Sequence, residues 1–235
     1  MVRVGVVGAA GRMGSTVCQA VRDDPETELV AEVDAQDSLE AILDAGADVA
    51  VEFSLPDSVK RNTAWLLERG VHTVVGATGL TADDIAELEK LTGPANLFVA
   101  PNFAIGAVLM MRCAEMVARY LPDVEITELH HERKVDAPSG TALRTAHLIA
   151  EARRDRPARA DEQPARGELV DGVPIHSVRL PGIVASQEVV FGAQGQTLTI
   201  RHDSTDRSSF MPGVLLAVKR IATLPGLTVG LEHLL

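Results

Sequence analysis

Residues 128–141 read Glu-Leu-His-His-Glu-Arg-Lys-Val-Asp-Ala-Pro-Ser-Gly-Thr, a run that sets proton donors beside an anion-binding turn. His130 and Lys134 can each supply a proton near neutral pH when their surroundings adjust their affinity for it. Pro138-Ser139-Gly140-Thr141 leads into a helical pattern, so its backbone N–H groups and the Ser139 and Thr141 hydroxyls form a cradle for a carboxylate. Taken singly these residues have plain readings. Adjacent histidines on a strand point to opposite faces, Lys134 can be a solvated charge and Ser139 a helix cap. Their concentration in one short segment argues for a site. His130, His131 and Glu132 also raise the question of zinc, but there is no HExxH and no second ligand pair at metal spacing, so no metal is expected.

A second chemical feature opens the chain. Gly8-Ala9-Ala10-Gly11-Arg12-Met13-Gly14 sits between an apolar strand pattern and a helical one. Glycines there let the backbone approach a pyrophosphate, and the helix behind them aims its unpaired N–H groups at the same anion. The spacing is GxxGxxG where the standard fingerprint is GxGxxG. Asp34 closes the second strand pattern, where an acidic side chain accepts hydrogen bonds from an adenosine ribose. Its charge favours NAD over NADP, while Arg12 offers a partner for a 2′-phosphate, so use of both remains open. Two further strand ends, Gly76-Ala77-Thr78-Gly79 and Ala100-Pro101-Asn102-Phe103, should border the nicotinamide half, because ligands of open α/β sheets lie beyond the carboxyl ends of strands.

The elements that must carry these residues follow from periodicity. Val2–Val7, Leu29–Val33, Asp48–Phe53, Val71–Val75 and Leu97–Ala100 read as buried strands. Between them, Gly11–Arg22, Pro56–Arg69 and Thr81–Leu91 read as helices, the last with a cap-like Thr followed by two Asp. This alternation predicts a Rossmann-like, doubly wound parallel sheet in an α/β protein. Beyond Asn102 the rhythm changes to a helix over 104–120, a strand over 123–129 and a helix over 139–154. A polar loop over 153–173 comes next. Strands at 175–180, 183–191 and 197–202 then predict a smaller α+β domain with an open, mixed sheet. A last helix, 208–222, is expected to pack back on the first domain. The expected division is 1–102 with 209–235 for the dinucleotide and 103–208 for substrate and oligomerisation, closing on substrate about hinges near Asn102 and Ser209.

Composition narrows the partners. The net charge of −11 repels phosphate backbones and argues against nucleic acid. Hydrophobic residues make up 46% but aromatic ones only 3%, so the core must rest on aliphatic side chains, as suits a parallel sheet buried on both faces. Cys18 and Cys113 form no CxxC pair and read as reduced, buried thiols in a reducing compartment. No apolar run approaches the ~20 residues that span a bilayer, and the N-terminus enters a strand without a leader pattern. A cytoplasmic protein with no membrane partner is expected.

The segments VGAAGRMG, VEFSLP, GATG, APNFAIG and, above all, ELHHERKVDAPSGTA resemble those of the 4-hydroxy-tetrahydrodipicolinate reductase (dihydrodipicolinate reductase) family of diaminopimelate and lysine biosynthesis. The resemblance covers nearly the whole chain and extends to SVRLPGIVASQEVVFG and LTIRHDSTDRSSFMPGV. It implies NADH- or NADPH-dependent reduction of a small dicarboxylate ring substrate with loss of water. By position it implies that His130 is the proton donor/acceptor and Lys134 a second proton donor, and that His131, Gly140 and Thr141 bind substrate, where the cradle reading adds Ser139. Gly8, Ala9, Ala10, Gly11, Arg12, Met13, Asp34, Gly76, Ala77, Thr78, Ala100, Pro101, Asn102 and Phe103 match cofactor positions. A homotetramer formed through the second domain's sheet is likewise implied. Ala77 stands where the family often has Thr, and Gln187 where many members have His. An aspartate-type amino-acid dehydrogenase would share the glycine loop but has no need of the 130–141 segment. A catalytically silent dinucleotide sensor would need a partner surface that the sequence does not show.

Overall fold

The structure, a computed structural model, describes residues 1–153 and 164–235. The chain divides into two compact units, Met1–Phe103 with Arg207–Leu235, and Ala104–Asp206.

The first unit is built on a six-stranded sheet of β1 (Val2–Val7), β2 (Thr27–Val33), β3 (Val49–Glu52), β4 (His72–Val75), β5 (Leu97–Val99) and β11 (Leu227–Val229), in the order β11-β5-β4-β3-β1-β2. Every pairing is parallel. Helices α1 (Arg12–Asp23), α2 (Glu40–Asp44), α3 (Pro56–Glu68) and α4 (Ala82–Glu89) link the strands. The central strands are buried on both faces, which is why they read as unbroken Val-rich runs. α1 buries Gly14, Val17, Cys18 and Val21, while Met13 is only half-buried. Burial pushes the Cys18 thiol up to about 12, with Glu32 adding to the effect, so it stays protonated. Cys113, expected to be buried, is exposed instead, on the outer side of the helix over Ile105–Ala118. Thr81 caps α4 as its sequence predicts. Its hydroxyl accepts from the Asp84 N–H at 3.1 Å and the Asp84 carboxylate accepts from the Thr81 N–H at 2.9 Å.

The last helix, α7 (Met211–Arg220), belongs to this unit and packs on α1 and β1, as expected. Lys219 fastens it to the turn after α1, donating to Asp24 and Glu26 at 2.7 Å each. It is shorter than the predicted 208–222, because 3-10 turns at Arg207–Phe210 and Ile221–Thr223 flank it. α2 and β11 have no counterpart in the sequence reading. They are five and three residues long, too short for either period to register.

The second unit holds a five-stranded mixed sheet of β6 (Asp123–His130), β7 (Glu168–Val170), β8 (Val173–Arg179), β9 (Ala185–Ala193) and β10 (Gln196–Ser204), in the order β10-β9-β6-β8-β7. Only β6 and β8 run parallel. The expected loop over 153–173 is corrected at its end. Glu168–Val170 is a strand closed on β8 by the Asp171–Gly172 turn, both residues at positive φ. Residues 154–163 of that loop lie outside the described residues. Helices α5 (Ile105–Ala118) and α6 (Gly140–Ala152) share one face of the sheet, over Val124, Ile126, Val189 and Phe191. Two polar side chains, Glu128 and Gln187, are buried on that same face. The opposite face carries Glu125, Thr127 and Leu129 of β6 with Glu188 and Val190 of β9.

Candidate functional site

In the first unit the glycine turn is held from three sides. Gly8 takes φ 81°, and its N–H donates to Val33 O at 2.8 Å. Gly11 N–H closes the turn on Gly8 O at 3.0 Å. Gly14 packs directly under it, where a Cβ would lie 2.7 Å from the Gly8 carbonyl carbon and 2.9 Å from Ala9 Cα. The helix that follows begins at Gly11 with no side-chain cap and no acid in its first turn. Its positive end is thus left for an anion. Asp34 reaches back to the turn. One carboxylate oxygen accepts from the Ala10 N–H at 2.9 Å and the other from its neighbour Ala35 at 2.8 Å.

The other expected cofactor positions converge on the same edge of the sheet. Gly76 and Ala77 N–H groups donate to Glu52 O, and Ala100 N–H donates to Val75 O. A Cβ on Gly76 would strike the rings of Phe53 and Phe103. Thr78 and Pro101 are exposed, and Asn102 is half-buried. The Phe103 ring is buried at centroid distances of 6.2 Å from Phe53 and 6.1 Å from Phe98, so only its main chain can face a ligand. Phe53, whose carbonyl also lies against Gly8, is a neighbour the motif reading missed. So is Glu52, fully buried at the end of β3, where its carboxylate accepts from the Ser54 N–H at 2.7 Å and burial pushes its pKa up.

In the second unit the 128–141 segment starts on β6 and ends on α6. His130 is the last residue of β6 and His131 the first beyond it, so the two are no longer strand neighbours. Glu128 and His130 share a face, two residues apart. The His130 Nδ1 and Glu128 Oε2 are 2.5 Å apart, with Glu128 fully buried. Register places Arg179 of β8 opposite His130, and its guanidinium grips both Glu128 oxygens at 2.8 and 3.0 Å. Burial alone would raise the Glu128 pKa. Hydrogen bonds from His130, Arg179 and Ser177 outweigh it and hold the carboxyl down at about 2.

The turn after β6 closes from Lys134 N–H to His131 O at 3.1 Å. Lys134 Nζ meets both Asp136 oxygens at 2.8 Å, and this contact lowers the Asp136 pKa. Arg179 also donates to the Asp136 carbonyl at 2.6 Å, tying the turn to the buried carboxylate. Ser139 is buried and caps α6, its hydroxyl accepting from Ala142 N–H at 3.3 Å. Its hydroxyl is therefore the helix cap of the plain reading. Gly140 is open on its Cα side and exposed, and Thr141 is half-buried behind it. Gln187 donates to the Thr145 hydroxyl at 2.8 Å, which in turn donates to Thr141 O at 2.7 Å. Among the described residues no three His, Cys, Asp or Glu side chains are grouped to hold a metal ion, and no helix is long and apolar enough to cross a membrane.

A parallel sheet whose first strand turns through glycines into an uncapped helix, with a carboxylate closing the second strand, defines the Rossmann-like dinucleotide-binding class. Within it, the chain belongs to the dihydrodipicolinate reductase family. The family's N-terminal profile matches residues 2–103 and its C-terminal profile residues 106–235. The 4-hydroxy-tetrahydrodipicolinate reductase of Nocardia farcinica is 56% identical, over 100% of this chain and 98% of that protein. That of Mycolicibacterium vanbaalenii is 52% identical, over 99% and 98%. A dipicolinate-bound dihydrodipicolinate reductase from Paenisporosarcina sp. TG-14 superposes with a TM-score of 0.89 at 39% identity, covering all of both chains.

Proposed function

We propose that the protein reduces 4-hydroxy-tetrahydrodipicolinate to tetrahydrodipicolinate, with loss of water, at the expense of NADH or NADPH, in diaminopimelate and lysine biosynthesis in the cytoplasm. The observation that carries this reading is the joining of His130 and the turn that carries Lys134 through one Glu128–Arg179 pair at the end of β6. Full-length identity to reductases of that name and the dipicolinate bound in a close structural relative support it.

The first unit offers a fitting cradle for the dinucleotide, since Gly14 lets the glycine turn sit directly on α1 with no Cβ between them, and α1 presents an uncapped N-terminus. Gly8 to Met13 would hold the pyrophosphate, Asp34 the ribose, and the 76–78 and 100–103 turns the nicotinamide half. The dinucleotide supplies the hydride. Of the substrate, one C–OH bond is broken and water leaves, while one hydride and one proton are gained. As negative charge grows on the ring nitrogen, the Lys134 ammonium stabilises it. His130 returns the proton to ring carbon. His131, Thr141 and the N–H groups of Ser139 and Gly140 hold the two carboxylates. A substrate carboxylate takes the place on Lys134 that Asp136 fills here, an exchange that preserves the charge balance around the ammonium.

The test is oxidation of NADH or NADPH, followed at 340 nm. The substrate is made in situ from pyruvate and aspartate semialdehyde by the synthase that precedes the reductase. Oxidation that requires the synthase is expected. None with either cofactor, in a folded protein that still binds NADH, rejects the reading. In the same assay Asp34→Ala shifts the ratio of kcat/KM towards NADPH by about tenfold or more, because a carboxylate no longer faces the 2′-phosphate. An unchanged ratio would assign cofactor choice elsewhere, with Arg12 the first position to examine.

Both helices of the second unit lie on one face of its sheet, and the other face supports assembly as a homotetramer. There Leu129, Val178 and Val190 stand among paired charges, Glu125 with His176 at 2.9 Å and Arg201 with Glu188 at 3.2 Å. Val190→Arg is expected to reduce the sedimenting mass from four chains to one or two. A variant that sediments as a tetramer removes this face from the interface.

A further inference from the structure

Three polar side chains from two strands meet below the substrate segment, and the reaction described above uses only one of them. Glu128 has no exposed surface, yet its strand carries no Lys or Arg to neutralise it. A buried carboxylate is tolerated only when paired and hydrogen-bonded. Here the pair is Arg179, fifty-one residues away in sequence and brought opposite His130 by the parallel β6–β8 register. The same guanidinium also donates from its two terminal nitrogens to main chain, at Val178 O (2.8 Å) and Asp136 O (2.6 Å), while its buried Nε has no partner among the described residues. The Glu128 oxygen nearer His130 therefore faces the ring nitrogen from a fixed position, and a carboxylate offers only lone pairs.

Resting on the reading of His130 as proton donor, we infer that Glu128, gripped by Arg179, is a positioning residue that keeps the His130 proton on Nδ1 and so presents Nε2 to the substrate. The depressed Glu128 pKa agrees with an acceptor that stays ionised. The arrangement also makes Arg179 a shared strut. It orients Glu128 under His130 and holds the Asp136 carbonyl in the turn that carries Lys134, so the two proton-handling side chains are set by one guanidinium.

The experiment uses the full-length protein labelled with 15N in its histidine rings, its His130 signals assigned by their loss in His130→Ala. On the alkaline side of the ring's titration, wild type is expected to show a protonated Nδ1 and a bare Nε2. A ring protonated on Nε2 overturns the inference. Glu128→Gln keeps volume but offers an amide N–H towards Nδ1, so the proton should move to Nε2. Turnover should then fall on the order of 10²-fold or more, with substrate KM and dinucleotide Kd near wild type. Wild-type turnover in folded Glu128→Gln also overturns it. Should that variant fail to fold, the wild-type ring spectrum alone decides. His130→Ala separates the two layers. If it turns over normally, the reading of His130 as proton donor fails, whereas a slow His130→Ala beside a fast Glu128→Gln rejects only the role of Glu128.

Discussion

His130→Ala and Lys134→Ala are each expected to turn over about 10² to 10⁴ times more slowly than wild type, the usual worth of a positioned proton transfer. Dinucleotide affinity should be unchanged, because both residues lie in the second unit and the glycine turn in the first. Neither loss should be a folding artefact. Removing His130 leaves Glu128 still paired with Arg179. Removing Lys134 breaks an ion pair with a largely exposed Asp136, and such pairs contribute little to stability. Lys134→Ala should also raise KM, since the ammonium is proposed to hold a substrate carboxylate as well as to stabilise charge, whereas His130→Ala should act chiefly on kcat. The measurement is steady-state kinetics with a melting curve for each variant. Wild-type-like turnover in either removes that residue from the chemistry.

Gly14→Ala is expected to abolish dinucleotide binding and to destabilise the first unit. Its Cβ would lie inside the contact distance of Gly8 and Ala9, and the three atoms nearest to it are all main chain, so no side chain can rotate away to relieve them. Relief requires α1 to move off the turn. Overpacking of this kind costs about 1–3 kcal/mol, occasionally more, and the shift withdraws the helix N-terminus from the pyrophosphate. Titration with NADH monitored by fluorescence, together with thermal unfolding, checks both effects. Affinity within a few-fold of wild type would mean the turn tolerates a wider seat than its geometry indicates. Gly11 makes a useful contrast. A Cβ there meets only Gly8 O, at 3.1 Å, so Gly11→Ala should be the milder change.

Much of this was legible in the residues themselves. The alternation of Val-rich runs with amphipathic helices marks the parallel sheet because burial on both faces leaves no other pattern. Thr81 announces its helix because a cap is a local device. The His130–Thr141 segment stands out because its chemistry is contiguous. Arg179 does not stand out, since nothing near it in sequence says that β8 will lie parallel to β6 with Arg179 opposite His130. Glu128 was half visible, as period two places it on the His130 face, but only the fold shows that this face is the buried one. Ser139 shows the reverse limit. Its type and position fit both a cap and a ligand, and its hydroxyl is bonded as a cap. Phe103 fits a cofactor turn by motif, yet its ring belongs to the core.

The bond from the Ala10 N–H to Asp34 makes the residue proposed to discriminate between cofactors also a strut of the glycine turn. Selectivity and loop order are therefore inherited together. A lineage that exchanges Asp34 for a smaller or basic residue to accept the 2′-phosphate must also find a new acceptor for Ala10, or tolerate a looser turn and weaker binding of both dinucleotides. Changes of cofactor in this scaffold should consequently come as paired substitutions, one at position 34 and one within residues 9–12, with either alone less fit than both.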